Sequence, residues 1–215
     1  MAAAMAETWG IGKEQALPWS IPADTRYLID VTTKAYHTIS NNKRDWHNIA
    51  VMGRLSWEAS PLCMTPMPEC YNIIISRNAN YKYVCHDISS DNVYSNILGS
   101  CQQKGPFPHV SLATSIQEAL EQADTLKKEH DQARIFVLGG GQIYDQSMSL
   151  CTHILLTRVY ASKTIKCDAF MSPIDENLFE RASHEDLESF VQQSVPRGIQ
   201  THHDLSYEFV LYVRK

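Results

Sequence analysis

The chain has 215 residues, 44% of them hydrophobic and 20% charged, with a formal charge of −5 at pH 7. That length sits within the range of one domain with a full core, and an acidic balance without any Lys/Arg run argues against nucleic acid or anionic membrane as the main partner. No window reaches the unbroken apolar length of a membrane span, and Met1-Ala2-Ala3-Ala4-Met5 lacks the basic region and long apolar run of a signal peptide. Cys63, Cys70, Cys85, Cys101, Cys151 and Cys167 are scattered without paired spacing and read as reduced intracellular thiols, although their even count leaves disulfides open.

In chain order, the first informative stretch is Leu17-Pro18-Trp19-Ser20-Ile21-Pro22-Ala23-Asp24. Pro18 and Pro22 each fix φ near about −65° and push the preceding residue out of the α region, so the loop is stiff and a helix begins close to Pro22. Tyr27, Leu28 and Val31 follow at helical spacing, which sets Asp24 on or beside the buried face of a helix over 23–33. The carboxylate either caps that helix and complements its dipole or carries chemistry. Short apolar runs ending at Gly or Ser predict strands at 48–52, 71–75 and 134–138, buried on both faces. Helices are predicted at 54–60, from Ser115 onward behind the capping box Ser115-Ile116-Gln117-Glu118, and at 141–148. Residues 78–108 are polar and irregular and read as a loop excursion with at most short strands. Segments 152–160 and 206–213 read as an antiparallel pair, with 189–204 between them as a surface loop. Strands alternating with helices predict an α/β domain over 1–215, a central sheet with helical crossovers.

Two of these strand ends carry glycine followed by a helix start, a pairing that suits an anion. At Leu138-Gly139-Gly140-Gly141-Gln142-Ile143-Tyr144 the backbone can approach a ligand closely while the new helix points free N–H groups at it, as a pyrophosphate requires. At Met52-Gly53-Arg54-Leu55-Ser56 the arrangement recurs with a cation, and Ser76-Arg77 ends a third strand with a hydroxyl and a guanidinium. Arg54 and Arg77 are then placed to flank one extra phosphate. The G-x-G-x-x-G fingerprint of an ordinary dinucleotide-binding domain is absent. His202-His203 reads as a solvated loop rather than a metal site, and Trp46 and Trp57 as packing residues.

The order and wording of these segments resemble the dihydrofolate reductase family. Gly10-Ile11-Gly12-Lys13, Leu17-Pro18-Trp19, Ala23-Asp24, Thr32-Thr33, Val51-Met52-Gly53-Arg54, Ser56-Trp57, Ser76-Arg77, Val137-Leu138-Gly139-Gly140 and Leu156-Thr157-Arg158 carry the likeness, and Asp186-Leu187-Glu188-Ser189-Phe190 is similar to the eukaryotic, fungal branch. The resemblance implies a central eight-stranded mixed β-sheet flanked by helices, an NADPH-dependent reduction of dihydrofolate to tetrahydrofolate, and a cytoplasmic monomer open to antifolate inhibitors. It implies that Asp24 is the active-site carboxylate that grips the pterin, with Thr157 sharing its hydrogen-bond network, and that Leu17 and Trp19 close over the nicotinamide. Ala4, Ile11 and Lys13 fall on the cofactor side, Gly139, Gly140, Gly141, Gln142, Ile143 and Tyr144 at the pyrophosphate and nicotinamide. Arg54, Ser76 and Arg77 fall at the 2′-phosphate and Gly53, Leu55 and Ser56 elsewhere along the cofactor, while Ala2, Leu28, Ser60 and Leu138 join Asp24, Tyr144 and Thr157 around the substrate.

Three departures qualify the implied substrate. The family carries an arginine for the folate α-carboxylate where this chain has Cys70, and a cysteine cannot supply a bidentate fork. Thr25, Leu28, Ile29 and Asp30, with Ser60, make the same side of the site wetter and less cationic. The segment Met1-Ala2-Ala3-Ala4-Met5 is short and low in β propensity for a central strand, predicting either a frayed sheet or an incomplete gene model. A same-fold reductase for a pterin or other heterocycle without a glutamate tail, or a catalytically weak ligand-binding paralogue, is the alternative.

Overall fold

The structure, a computed structural model, describes residues 1–36, 46–59, 65–82, 107–129 and 133–215. The chain divides into two compact units, Met1–Asp24 with Gly139–Lys215, and Thr25–Leu138.

The second unit is built on four parallel strands, β3 (Asn48–Gly53), β4 (Cys70–Ile75), β5 (Val110–Ala113) and β6 (Ile135–Val137), in the order β5-β4-β3-β6. Every residue of β3 is buried, the pattern its continuous apolar run predicts for a sheet covered on both faces. Around the sheet lie most of α1 (Pro22–Thr33), α2 (Arg54–Glu58) and α3 (Ile116–Glu129). Ile29, Met52, Trp57, Met67, Ile74 and Phe107 form one apolar cluster, with the Trp57 and Phe107 rings edge-on. Two fully buried asparagines organise the N-terminal edge. Asn48 donates through Nδ2 to the carbonyls of Thr32 and Lys34 at 2.8 Å and accepts from the Arg134 N–H, while Asn72 bonds the backbone of Met67 and Cys70. With its amide paired, that edge is a structural end. The opposite edge, where the strands run out at Gly53, Ile75, Ala113 and Val137, is the end at which parallel sheets bind ligands.

The first unit is a mixed sheet in the order β1-β7-β11-β10. It comprises β1 (Ala2–Met5), β7 (His153–Ala161), β11 (Leu205–Arg214) and β10 (Gln200–His202), with β9 (Phe179–Arg181) also on β11. The predicted pair β7 and β11 is antiparallel, and β1 joins β7 in parallel with Ala3 opposite Thr157. The alanines of β1 are therefore paired along their length, and tertiary pairing overrides their weak propensity. A two-stranded ribbon, β2 (Gly10–Gly12) with β8 (Ala169–Phe170), and the helices α4 (Gly141–Ser147) and α5 (His184–Val191) complete the unit.

The expected mixed α/β architecture is present, but the strand count differs from eight: the described residues hold eleven strands in sheets of five, four and two. The excess comes from short segments such as β2, β8, β9 and β10 that find partners although their sequences lack strand periodicity. The expected loop over 189–204 is corrected in the same way, since α5 runs to Val191 and Gln200–His202 is a strand. Most of the excursion expected over 78–108 lies outside the described residues, as does Ser60.

Candidate active site

In the first unit, Pro22 starts α1 and the Asp24 N–H reaches back to the Ile21 carbonyl at 3.0 Å, so the first helical turn fixes where the carboxylate points. It lies within the first turn, two residues past the helix start at Pro22. Thr157, 1% exposed in mid-strand on β7, donates its hydroxyl to Asp24 Oδ1 at 2.6 Å, leaving Oδ2 for another donor. Asp24 is 8% exposed, and burial pushes its carboxyl up to about 6, with the Thr157 hydrogen bond pulling the other way. No cation among the described residues offsets that burial. The phenols of Tyr144 and Tyr207 feel it in turn: both are raised, first by burial and then by the Asp24 charge.

The loop before Asp24 is folded back on itself. Lys13 and Ala16 exchange backbone hydrogen bonds, Glu14 and Gln15 adopt positive φ, and Asp168 binds the turn from β8's side, accepting the Glu14 N–H at 2.8 Å and donating its own N–H to the Gly12 carbonyl at 3.0 Å. Leu17 and Pro18 are half-buried beyond it. Trp19 is buried, and its Nε1–H has no partner among the described residues, an orphaned donor of the kind that a ligand or water satisfies.

The Gly139-Gly140-Gly141 turn accepts backbone only. Gly139 has φ 101°, and a Cβ there would meet the Tyr144 ring at 2.9 Å. A Cβ on Gly141 would strike the Phe170 carbonyl. No side chain caps α4 at Gly140, so its first N–H groups are available to an anion. Tyr144 leans back over this turn and donates to the Met1 carbonyl at 2.7 Å. These features fit a pyrophosphate. Gln142 is exposed, Ile143 half-buried, Ile11 packs beside the β1–β7 cluster, and Ala4 is buried in β1. Lys13 is exposed and pairs with Glu14 at 3.8 Å.

In the second unit the register sets Gly53 opposite Ile75, so Arg54 and Ser76 leave adjacent strand ends. Gly53 starts α2 without a side-chain cap, Leu55 is 52% exposed, Ser56 is half-buried, Ser76 is buried and Arg77 is exposed. Leu28 and Leu138 pack against that unit's apolar cluster. Cys70 is buried, with its thiol donating to the Thr32 carbonyl at 3.2 Å, and burial followed by the Glu69 charge pushes it up to about 12, so it is a neutral packing group. Trp46 and Trp57 are buried as expected of packing residues.

Sequence reasoning did not single out Asp168, Glu58 or Tyr81. Glu58 sits four residues after Arg54, a spacing that marks an ion pair on a helix, and that signal was there to be read. Asp168 lies 154 residues from Glu14, and no local pattern links them.

Residues 1–105 and 93–203 match the family profile described as dihydrofolate reductase. The chain is similar to the dihydrofolate reductase of Candida albicans, 28% identical over 218 residues that cover 99% of this chain and 95% of the relative. It is similar to that of Saccharomyces cerevisiae, 29% identical over 218 residues, 96% of this chain and 91% of the relative. The bifunctional dihydrofolate reductase-thymidylate synthase of Glycine max is 29% identical over 213 residues, which span 98% of this chain but only 32% of that protein's length.

Proposed function

The chain belongs to the dihydrofolate reductase family, and from that premise we propose that it reduces 7,8-dihydrofolate to 5,6,7,8-tetrahydrofolate with NADPH as a single reductase domain over 1–215. The observation that carries this reading is Asp24, a buried carboxyl held by Thr157 and raised to about 6, with one oxygen unclaimed among the described residues. A group near that value is matched to proton transfer close to neutral pH. As a carboxylate, Asp24 accepts the paired N–H donors of the pterin's amidine-like edge on Oδ2 and the remaining lone pair of Oδ1, and its raised value suits a group that helps proton delivery toward N5.

NADPH supplies the hydride when bound. Gly139, Gly140, Gly141 and Gln142 suit its pyrophosphate through backbone N–H groups, beside Ile143, whose own N–H donates to the Gly140 carbonyl, with Ala4 and Ile11 offering backbone to the carboxamide. Arg54, Ser76 and Arg77 suit the 2′-phosphate, beside Gly53, Leu55 and Ser56. Leu17 and Trp19, on the folded loop, exclude water from the reacting atoms. Ala2, Leu28, Leu138 and Tyr144 contribute the remaining substrate wall, and antifolates compete for it. We read the chain as acting alone on small molecules, without a macromolecular partner.

Asp24→Asn tests the reading: NADPH binding should persist while single-turnover hydride transfer at neutral pH falls by at least about 100-fold. Near-normal turnover would remove Asp24 from the chemistry. The buried, neutral Cys70 favours one alternative, a pterin lacking the glutamate tail. Steady-state rates with dihydrofolate and dihydrobiopterin, each with NADPH, separate the two.

A further inference from the structure

Arg54 is not a free cation. Its Nη1 donates to Glu58 Oε2 at 2.8 Å within α2, and the other Glu58 oxygen accepts the Tyr81 hydroxyl at 2.9 Å. The guanidinium also lies 5.9 Å from the centre of the Tyr81 ring. Tyr81 is itself held in place: its N–H bonds the Asn78 carbonyl, the Asn78 N–H bonds Ser76 Oγ, and its ring packs against the second unit's apolar cluster. The turn that leaves β4 therefore fixes Tyr81, Tyr81 fixes Glu58, and Glu58 fixes Arg54. Burial, then the hydrogen bond and charge of Glu58, raise the Tyr81 phenol, so it stays a donor at any physiological pH. Arg77, at the neighbouring strand end, is exposed and has no carboxylate partner among the described residues.

We propose that Glu58 sets the preference of this chain for NADPH over NADH, by holding Arg54 in an internal ion pair and leaving Arg77 as the main cation for the 2′-phosphate. The inference rests on the reading of this strand end as the 2′-phosphate site. Arg54 and Glu58 together carry no net charge, so a phosphate approaching the pair gains little until the guanidinium leaves its partner. An isolated pair on a helix surface separates easily, but here the carboxylate is gripped on both oxygens and only 24% exposed. Glu58 is thus a specificity-determining residue that acts through Arg54.

The test is a set of titrations of the full chain with NADPH, NADH, adenosine 2′,5′-bisphosphate and AMP, on wild type, Glu58→Gln, Arg54→Ala, Glu58→Gln/Arg54→Ala and Arg77→Ala. Glu58→Gln should tighten NADPH and the bisphosphate by about fivefold, roughly one exposed charge pair, with NADH and AMP unchanged. In wild type Arg54→Ala bares the Glu58 carboxylate and should weaken NADPH modestly, whereas in the Glu58→Gln background it removes a guanidinium free to meet the phosphate and should cost more, at least the whole gain. Tyr81→Phe, which frees one Glu58 oxygen without touching the helix, should shift the preference the same way by less. Equal effects of Arg54→Ala in the two backgrounds, or an unchanged NADPH-to-NADH ratio in Glu58→Gln, overturn the proposal. If neither Arg54→Ala nor Arg77→Ala moves that ratio in any background, the failure lies in the 2′-phosphate reading itself.

Discussion

Asp24 and Glu208 are each 8% exposed, Asp24 the more deeply enclosed of the two, and their surroundings push them in opposite directions. Asp24 meets one neutral hydroxyl, and burial wins: its carboxyl rises to about 6. Burial also pulls Glu208 upward, but the Tyr160 hydroxyl at 2.6 Å, the Arg181 guanidinium at 2.7 Å and the Arg158 charge at 3.7 Å outweigh it, and the carboxyl ends below its ordinary value. Glu208 faces Arg158 across the β7–β11 ladder, and Arg181 is supplied by β9. Burial alone therefore does not mark a working acid. A buried carboxylate surrounded by donors and cations holds the sheet together, whereas one without a cation weakens the fold and is kept for chemistry.

The largest test of that contrast is the stability of Asp24→Asn. A carboxyl raised from 3.8 to about 6 keeps in the folded protein a proton that the unfolded chain has released. Its cost is absent below about pH 4, grows between about pH 4 and 6, and is complete above, where it amounts to about 3 kcal/mol. The Asn variant retains an acceptor for Thr157, so urea unfolding at pH 7 should find it about 3 kcal/mol more stable than wild type, and no different near pH 3.5. A gain in stability with a loss of hydride transfer is the signature expected of a catalytic acid. Equal stability at pH 7 would mean that Asp24 is solvated.

Glu208→Gln probes the other side and should give the reverse pattern. Its lowered carboxyl contributes stability that is present above the ordinary glutamate range and is lost as pH falls through its folded value. Removing the charge leaves Arg158, Arg181 and the Tyr160 hydroxyl short of a partner, at a cost of about 2 kcal/mol at pH 7. That deficit should close in acid, where wild type loses the same charge, and hydride transfer should be unchanged. A variant that lowered hydride transfer without altering stability would transfer Glu208 to the working side of the comparison.

Much of this was legible before any fold was known, and the reason is local. The prolines around Trp19 dictate the entry to α1, apolar runs dictate β3 and β4, and the glycines at 139–141 dictate a turn that accepts backbone only. Helix α5 carried its own signal too, since Ser183 and Asp186 form a reciprocal capping box ahead of Leu187 and Val191. What no spacing could show is which distant groups meet. Thr157 lies 133 residues from Asp24, so their pairing was implied by family resemblance alone. Glu208 was not singled out at all, because its partners come from two other strands, β7 and β9. The weak-propensity alanines of β1 form a strand for a related reason: β7 offers a ladder that propensity does not register.

The smallest effect belongs to a third carboxylate, the exposed Asp168, which sharpens the contrast by removing burial from it. Asp168 accepts the Glu14 N–H at 2.8 Å and returns its own N–H to Gly12, pinning the turn that precedes Leu17 and Trp19. In water, such a side-chain acceptor contributes only about 0.5 to 1 kcal/mol, and its neighbours can hydrate when it is lost. Asp168→Ala should therefore barely move the unfolding midpoint. The consequence should appear in the turn itself, where the Glu14 amide loses its partner and exchanges its hydrogen faster, and in hydride transfer, which should fall by about two- to fivefold if the turn positions the water-excluding loop. Asp168→Asn, which keeps an acceptor oxygen, should restore most of both. Rescue by Asn would show that geometry rather than charge is what this carboxylate supplies, and failure of rescue with unchanged exchange at Glu14 would detach the turn from catalysis.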